Sequence, residues 1–230
     1  YLFNLVYPYL YSYGDLNVET NFRELVEDLL EAPTIKKWPI NVSVDEVVSA
    51  ATERTFAFAY EYLHRAYAAL SGKPRWGQKS PRNGVWMEEI RELFPGAQFI
   101  HLVRDGRDVA IDLADANFWP DTVHGGAIRW RDCMRAVAAL APNFGPESLL
   151  EVRYEELCRD PETVLKQICE FLGEDFDPML LEHHRSESSK GWSQNPLHAN
   201  AGKPITTEFV DMYKHRLPAA DLEVIEALIG

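Results

Sequence analysis

The stretch "AQFIHLVRDGRDVAID", residues 97–112, joins an apolar run to a dense cluster of charge. The run "AQFIHLV" does not alternate between apolar and polar residues, which is the pattern of a parallel strand covered by helices on both sides. His101 inside it then reads as a hydrogen-bonded core histidine. The carboxyl end of the strand falls at Arg104, and the periodicity predicts a helix from about Arg107 to Ala116.

On the N-terminal side the pattern is helical. Phe22, Leu25, Val26, Leu29 and Leu30 mark one buried face that ends before Pro33. "SVDE" at 43–46 has the form of a capping box and predicts one long helix, with Phe56, Tyr60, Leu63, Tyr67 and Leu70 as its stripe and Gly72 as its stop. That capping role leaves the Asn41-Val42-Ser43 sequon a chance match. Ser80 and Pro81 predict the cap and first turn of a helix carrying Trp86, Ile90, Leu93 and Phe94.

On the C-terminal side a helix is expected from about Gly126, with Ala127, Trp130, Met134 and Val137 inward. "SLLEV" at 148–152 reads as a second strand. Asp160 and Pro161 then open a helix stopped at Gly173. The order is helix, strand, helix, helix, strand, helix, which predicts an α/β fold with a parallel sheet layered by helices. Beyond Asp177 "SSKGWSQNPLHANAGKPI" shows too little periodicity for regular structure, and "PAADLEVIEALI" closes the chain as a helix. No repeat or linker divides residues 1–230, so a single domain is expected.

Bulk properties narrow the partners. An apolar content of 46% supports a packed core. A formal net charge of −13 argues against a nucleic-acid or membrane-surface protein, so a bound anion has to be held by a local cluster. Cys133, Cys158 and Cys169 are odd in number and lack paired spacing, which predicts buried thiols and a cytoplasmic location. No apolar run approaches the ~18 residues of a membrane span. The aromatic opening "YLFNLVYPYLYSYG" lacks the basic flank of a signal peptide and does not start with Met. The chain therefore reads as beginning inside a longer protein.

In open α/β sheets, ligands gather beyond the carboxyl ends of the strands, where helix N-termini present free N–H groups. Arg104 lies at such an end, and a guanidinium there can grip a phosphate with two parallel hydrogen bonds. The spacing leaves a second reading open, in which Arg104 pairs with Asp105 or Asp108 as solvated surface charge.

Four stretches in order carry a family resemblance: "WGQKSPR" (76–82), "LFPGAQFIHLVRDGRDVA" (93–110), "VRYEELCRDPETVLKQICEFLG" (152–173) and, more loosely, "GKPI" (202–205). Together they resemble the sulfotransferases that use 3′-phosphoadenosine 5′-phosphosulfate (PAPS), in the group of bacterial and protein-tyrosine sulfotransferases. The resemblance implies a P-loop-kinase-like fold, PAPS as co-substrate, a small-molecule or peptide acceptor with a hydroxyl or amine, and no metal. It assigns Arg104 to the donor's 3′-phosphate, Lys79 to the transferring group as the catalytic cation, Tyr154 to the nucleotide and Lys203 to the loop that closes over it.

The chain departs from that pattern in three ways. It contains no Gly-rich phosphate cradle, so the first strand, the phosphosulfate turn and the general base are expected upstream of Tyr1. Eight positions after Arg104, where the family has a serine on the same phosphate, this chain has Asp112. A carboxylate ~4 Å from a phosphate repels it by about 4 kcal/mol per charge pair at an effective dielectric near 20, unless Arg107 or a proton neutralises it. Finally, Ala116 and Asn117 stand where relatives carry basic residues. The departures keep a second reading open, a non-catalytic binding module on the same fold.

Other chemistries find no support. His183 and His184 are adjacent but lack partners at metal-ligand spacing. No G-x-S-x-G elbow or G-x-G-x-x-G fingerprint occurs. Arg129, Arg131 and Arg135 read as exposed helix charge.

Overall fold

The computed structural model describes residues 2–116, 121–194 and 196–230. Asn117 therefore lies outside the described residues. The chain separates into two compact units, Tyr1–Pro95 and Gly96–Gly230.

The first unit is helical among its described residues. It comprises α1 (Leu2–Val6), a 3-10 stretch (Tyr7–Tyr13), α2 (Glu19–Glu31), α3 (Val44–Ala50), α4 (Phe56–Ala69) and α5 (Met87–Leu93). The spacing of α2 places Phe22, Leu25, Val26 and Leu29 on one side, and all four are fully buried. Burial of side chains of this size stabilises by roughly 1.5–3 kcal/mol each. They pack with Phe3, Val47, Phe56, Tyr60 and Leu63. His64 lies in an aromatic nest, stacked on Tyr60 with ring centroids 4.2 Å apart and 4.6 Å from the Trp76 ring.

The capping box at Ser43 is present, with the Glu46 N–H donating to Ser43 Oγ and the Ser43 N–H donating to the Glu46 carboxylate. The single long helix expected from it is not. Ala51 turns extended, and Thr55 caps a new helix by accepting from the Phe58 N–H at 3.1 Å. The apolar stripe belongs to this second helix, and a second side-chain cap decides the boundary. Ser80 likewise accepts from the Arg82 N–H, but the chain passes through a 3-10 turn (Asn83–Trp86) before α5 begins.

In the second unit β1 (Phe99–Val103) pairs in parallel with β2 (Leu149–Arg153), Phe99 opposite Leu149 and Val103 opposite Arg153. Between them run α6 (Gly106–Asp115) and α7 (Val123–Leu140). After β2 come α8 (Tyr154–Arg159), α9 (Pro161–Leu172), α10 (Glu187–Ser193), α11 (Tyr213–Arg216) and α12 (Ala219–Ile229). Asp160 caps α9, and Gly173 ends it at φ 70°, a left-handed conformation that glycine adopts without a Cβ penalty.

Helices α6 and α7 approach so closely that a Cβ on Gly126 would lie 2.9 Å from the Ala110 backbone. A Cβ on Gly106 would meet the Trp130 ring at 2.8 Å. Ala110 and Ala127 share their buried cluster with Ile225 of α12.

Two expectations are corrected in this unit. Burial along β1 alternates: Phe99, His101 and Val103 point toward cover, while Ile100 and Leu102 are 41% and 52% exposed. An apolar run specifies a strand but not how many of its faces are covered. His101 is accordingly half-buried, its Nδ1 3.4 Å from the Glu151 carboxylate on the neighbouring strand. The tail beyond Asp177 is also more regular than its periodicity suggests, with 3-10 segments at Pro178–Arg185 and Pro196–Gly202 flanking α10. Local caps sustain these short turns: Asp177 accepts from the Met179 N–H at 2.8 Å and Ser186 from the Ser189 N–H at 3.1 Å.

Cys158 and Cys169 are buried free thiols, and Cys133 is free but only half-buried. Among the described residues no helix is long and apolar enough to cross a membrane.

Candidate nucleotide site

The carboxyl end of β1 delivers Arg104 into a dense polar setting. Its main-chain carbonyl accepts the Trp130 indole N–H at 2.9 Å. The next amide, of Asp105, donates to Glu155 at 2.7 Å, and the Asp105 carboxylate caps α6 through the Arg107 N–H at 2.9 Å. Trp130 from α7 and Glu155 from α8 thus hold the carbonyl and the amide of the single peptide group that follows the arginine.

The Arg104 side chain is only 15% exposed. One terminal nitrogen donates to the Asp112 carboxylate, and the other donates to the Phe209 carbonyl at 2.8 Å. Its guanidinium carbon lies 4.8 Å from the centre of the Tyr154 ring. Buried Nε has no hydrogen-bond partner among the described residues.

The two partners considered from spacing are both engaged elsewhere. Asp105 is bonded to Arg107 at 2.7 Å, which holds its carboxyl below the ordinary range even though burial alone would raise it. Asp108 accepts the backbone N–H groups of Asp211 and Tyr213. Arg107 also pairs with Glu226 at 2.7 Å and stacks over the Tyr213 ring at 3.7 Å. The charge that neutralises Asp112 is therefore Arg104 itself, the first two turns of α6 placing residue 112 within reach of the strand-end guanidinium.

Beside this arginine lies a cavity of about 210 Å³, bounded by Tyr154, Leu157, Cys158, Lys203, Ile205 and Phe209 among others. Pockets that enclose a whole ligand usually measure ~300–1,000 Å³, so this one has room for part of a ligand, such as a flat ring. Burial, followed by the neighbouring Cys158 thiol, raises the Tyr154 phenol above its ordinary pKa and keeps it protonated at neutral pH. His183 also borders the cavity; burial first and then His184 lower its pKa.

Four of the five residues singled out in the sequence thus fall in one neighbourhood: Arg104 and Asp112 as a pair, Tyr154 beneath the guanidinium, and Lys203 on the cavity wall. Lys79 belongs to the first unit, exposed on the segment between α4 and α5. Arg131 of α7 donates to the Asp132 carboxylate at 2.8 Å and to the Leu228 carbonyl at 3.5 Å. Trp130, Glu155 and the Phe209 carbonyl had no sequence signal for this neighbourhood, and Asp108, weighed only as a partner of Arg104, meets main-chain N–H groups instead; each contact involves a backbone group that the fold brings in.

A largely buried arginine at the carboxyl end of a parallel strand, beside a small cavity, is an arrangement that can hold an anionic group. A model described as "Sulfotransferase family" matches residues 12–178, and the chain belongs to that family. Over 162 residues it is 29% identical to an uncharacterised protein of Aquifex aeolicus, covering 66% of this chain and 20% of that one. Over 121 residues it is 27% identical to protein-tyrosine sulfotransferase A of Caenorhabditis elegans, covering 49% of this chain and 31% of that protein. The chain thus spans less than two thirds of these relatives. Among solved structures it is similar to the sulfotransferase domain of the Synechococcus PCC 7002 olefin synthase, with a TM-score of 0.63 and 28% identity over 91% of this chain and 73% of that one. The helix-rich architecture with a small parallel sheet is the P-loop-like sulfotransferase fold.

Proposed function

We propose that this chain is a sulfotransferase domain that takes PAPS as donor and transfers its sulfonate group to a hydroxyl or amine acceptor. The observation that carries the reading is the Arg104 guanidinium at the end of β1, next to a cavity bordered by Tyr154 and Lys203. In this reading Arg104 holds the 3′-phosphate, Tyr154 offers its ring to the nucleotide and Lys203 belongs to the loop that closes over it. The family match runs across both units, which supports treating residues 1–230 as one functional domain. The three unpaired thiols fit a reducing compartment such as the cytoplasm.

Transfer is an in-line displacement. The acceptor oxygen or nitrogen forms a bond to sulfur while the bond from sulfur to the bridging oxygen breaks. That oxygen leaves on the nucleotide 5′-phosphate with the electron pair, and the acceptor proton passes to a base. Charge grows on the leaving oxygen as it does in phosphoryl transfer, and a preorganised ammonium aimed at it lowers the barrier. Lys79 is assigned this role on the family resemblance.

Asp112 favours a second reading. With its carboxylate already on Arg104, the anchor is occupied from within, as it would be in a non-catalytic binding module that keeps the fold. Calorimetric titration with adenosine 3′,5′-bisphosphate, together with labelled sulfonate transfer from PAPS to a panel of phenols, alcohols and amines, separates the two. Binding and transfer support the enzyme. Absence of heat in both the wild type and Asp112→Ser supports the module.

A further inference from the structure

We propose that Asp108 is a positioning residue for the nucleotide site, fastening the return segment 209–213 to α6 and thereby setting the Phe209 carbonyl against Arg104. The proposal rests on the donor-site reading above and adds to it a residue that touches no ligand.

Asp108 has no solvent exposure at all, which is rare for a carboxylate without a cationic partner in contact. Its two oxygens each accept one main-chain N–H at 2.9 Å, from Asp211 and from Tyr213. Asp211 sits at φ 63°, the left-handed conformation that residues other than glycine seldom adopt. A bend of that kind needs to be held, and the buried carboxylate holds it from both sides.

The bonds close a circuit. Asp108 and Asp112 are four residues apart on α6 and so project from the same face. Asp112 binds Arg104, Arg104 binds the Phe209 carbonyl, and the chain two residues beyond Phe209 returns to Asp108. One helix face thus holds both the arginine and the loop carbonyl that orients it. Phe209 also borders the cavity, so the same fastening shapes the wall against which a base would rest.

The test is Asp108→Asn, which keeps the shape and one acceptor but places an amide NH₂ against an N–H donor. Hydrogen exchange of the Asp211 and Tyr213 amides should accelerate at least tenfold while the core amides of α6 and α7 keep their protection. Affinity for adenosine 3′,5′-bisphosphate should fall about tenfold, and affinity for adenosine 5′-monophosphate should fall less. Unchanged exchange at the two amides overturns the proposal, and so does faster exchange with unchanged bisphosphate affinity. If the wild type binds no bisphosphate, the donor reading fails separately. The NMR resonance of Arg104 Nε then decides, a shift in Asp108→Asn supporting the fastening role and an unmoved signal refuting it. Should Asp108→Asn not fold, Asp108→Ser, which retains one acceptor in a smaller side chain, is measured in the same way.

Discussion

Replacing Asp112 by serine tests whether the carboxylate on Arg104 governs phosphate binding. A phosphate held by Arg104 has to take the place that Asp112 now fills or lie close beside it. At ~4 Å two unit charges interact by about 4 kcal/mol at an effective dielectric near 20. Asp112 is 44% exposed, so solvent screening reduces this to about 1–2 kcal/mol. Asp112→Ser should therefore strengthen binding of adenosine 3′,5′-bisphosphate roughly 5–30-fold. Adenosine 5′-monophosphate lacks the 3′-phosphate and should change by less than about twofold, within the usual scatter of a surface substitution. Calorimetric titration of both nucleotides, with a melting curve to confirm folding, reads the difference. An equal gain for the two nucleotides, or a loss for the bisphosphate, would refute the electrostatic reasoning, since only the 3′-phosphate is set against the carboxylate.

Arg104→Ala should raise the bisphosphate dissociation constant at least tenfold, the effect of losing a charge-assisted bond of about 1.5 kcal/mol or more; an unchanged constant removes Arg104 from the site. Gly126→Ala places a methyl carbon 2.9 Å from the Ala110 backbone and should cost about 1–3 kcal/mol in urea unfolding, as overpacking does. A midpoint equal to wild type would show that α6 and α7 have slack. Burial pushes the His64 pKa down to about 4 from the ordinary histidine value near 6.5, so between those values the unfolded chain binds a proton that the folded chain does not. Stability should accordingly fall as the pH drops from 6.5 toward 4, by up to ~3 kcal/mol. Denaturant melts of wild type and His64→Phe across that window should diverge in slope, and parallel curves would contradict the assignment.

Each helix that formed as expected had two agreeing local signals. In α2 the apolar spacing coincides with a stop before Pro33, and in α9 Asp160 at one end and Gly173 at the other bracket a clear stripe. The long helix expected from Ser43 divided because the second cap, Thr55, lay within a run that could be read as one continuous pattern. The tail beyond Asp177 carries no legible pattern because turns held by side-chain caps leave no apolar periodicity. For the candidate site, the position of Arg104 followed from the length of the apolar run and the charge that ends it. Its partners did not, because Asp112 competes with Asp105 and Asp108 in any local reading.

The local order of residues determined the strands, most of the helix ends and the arrival of a guanidinium at the tip of β1, since these depend on interactions a few residues apart. Only the folded chain decided what that guanidinium meets. The Phe209 carbonyl is 105 residues away, and the amides that secure Asp108 are 103 and 105 residues away. Such contacts involve main-chain groups that every residue possesses, so no side-chain pattern announces them, and they exist only once the return segment has packed against α6.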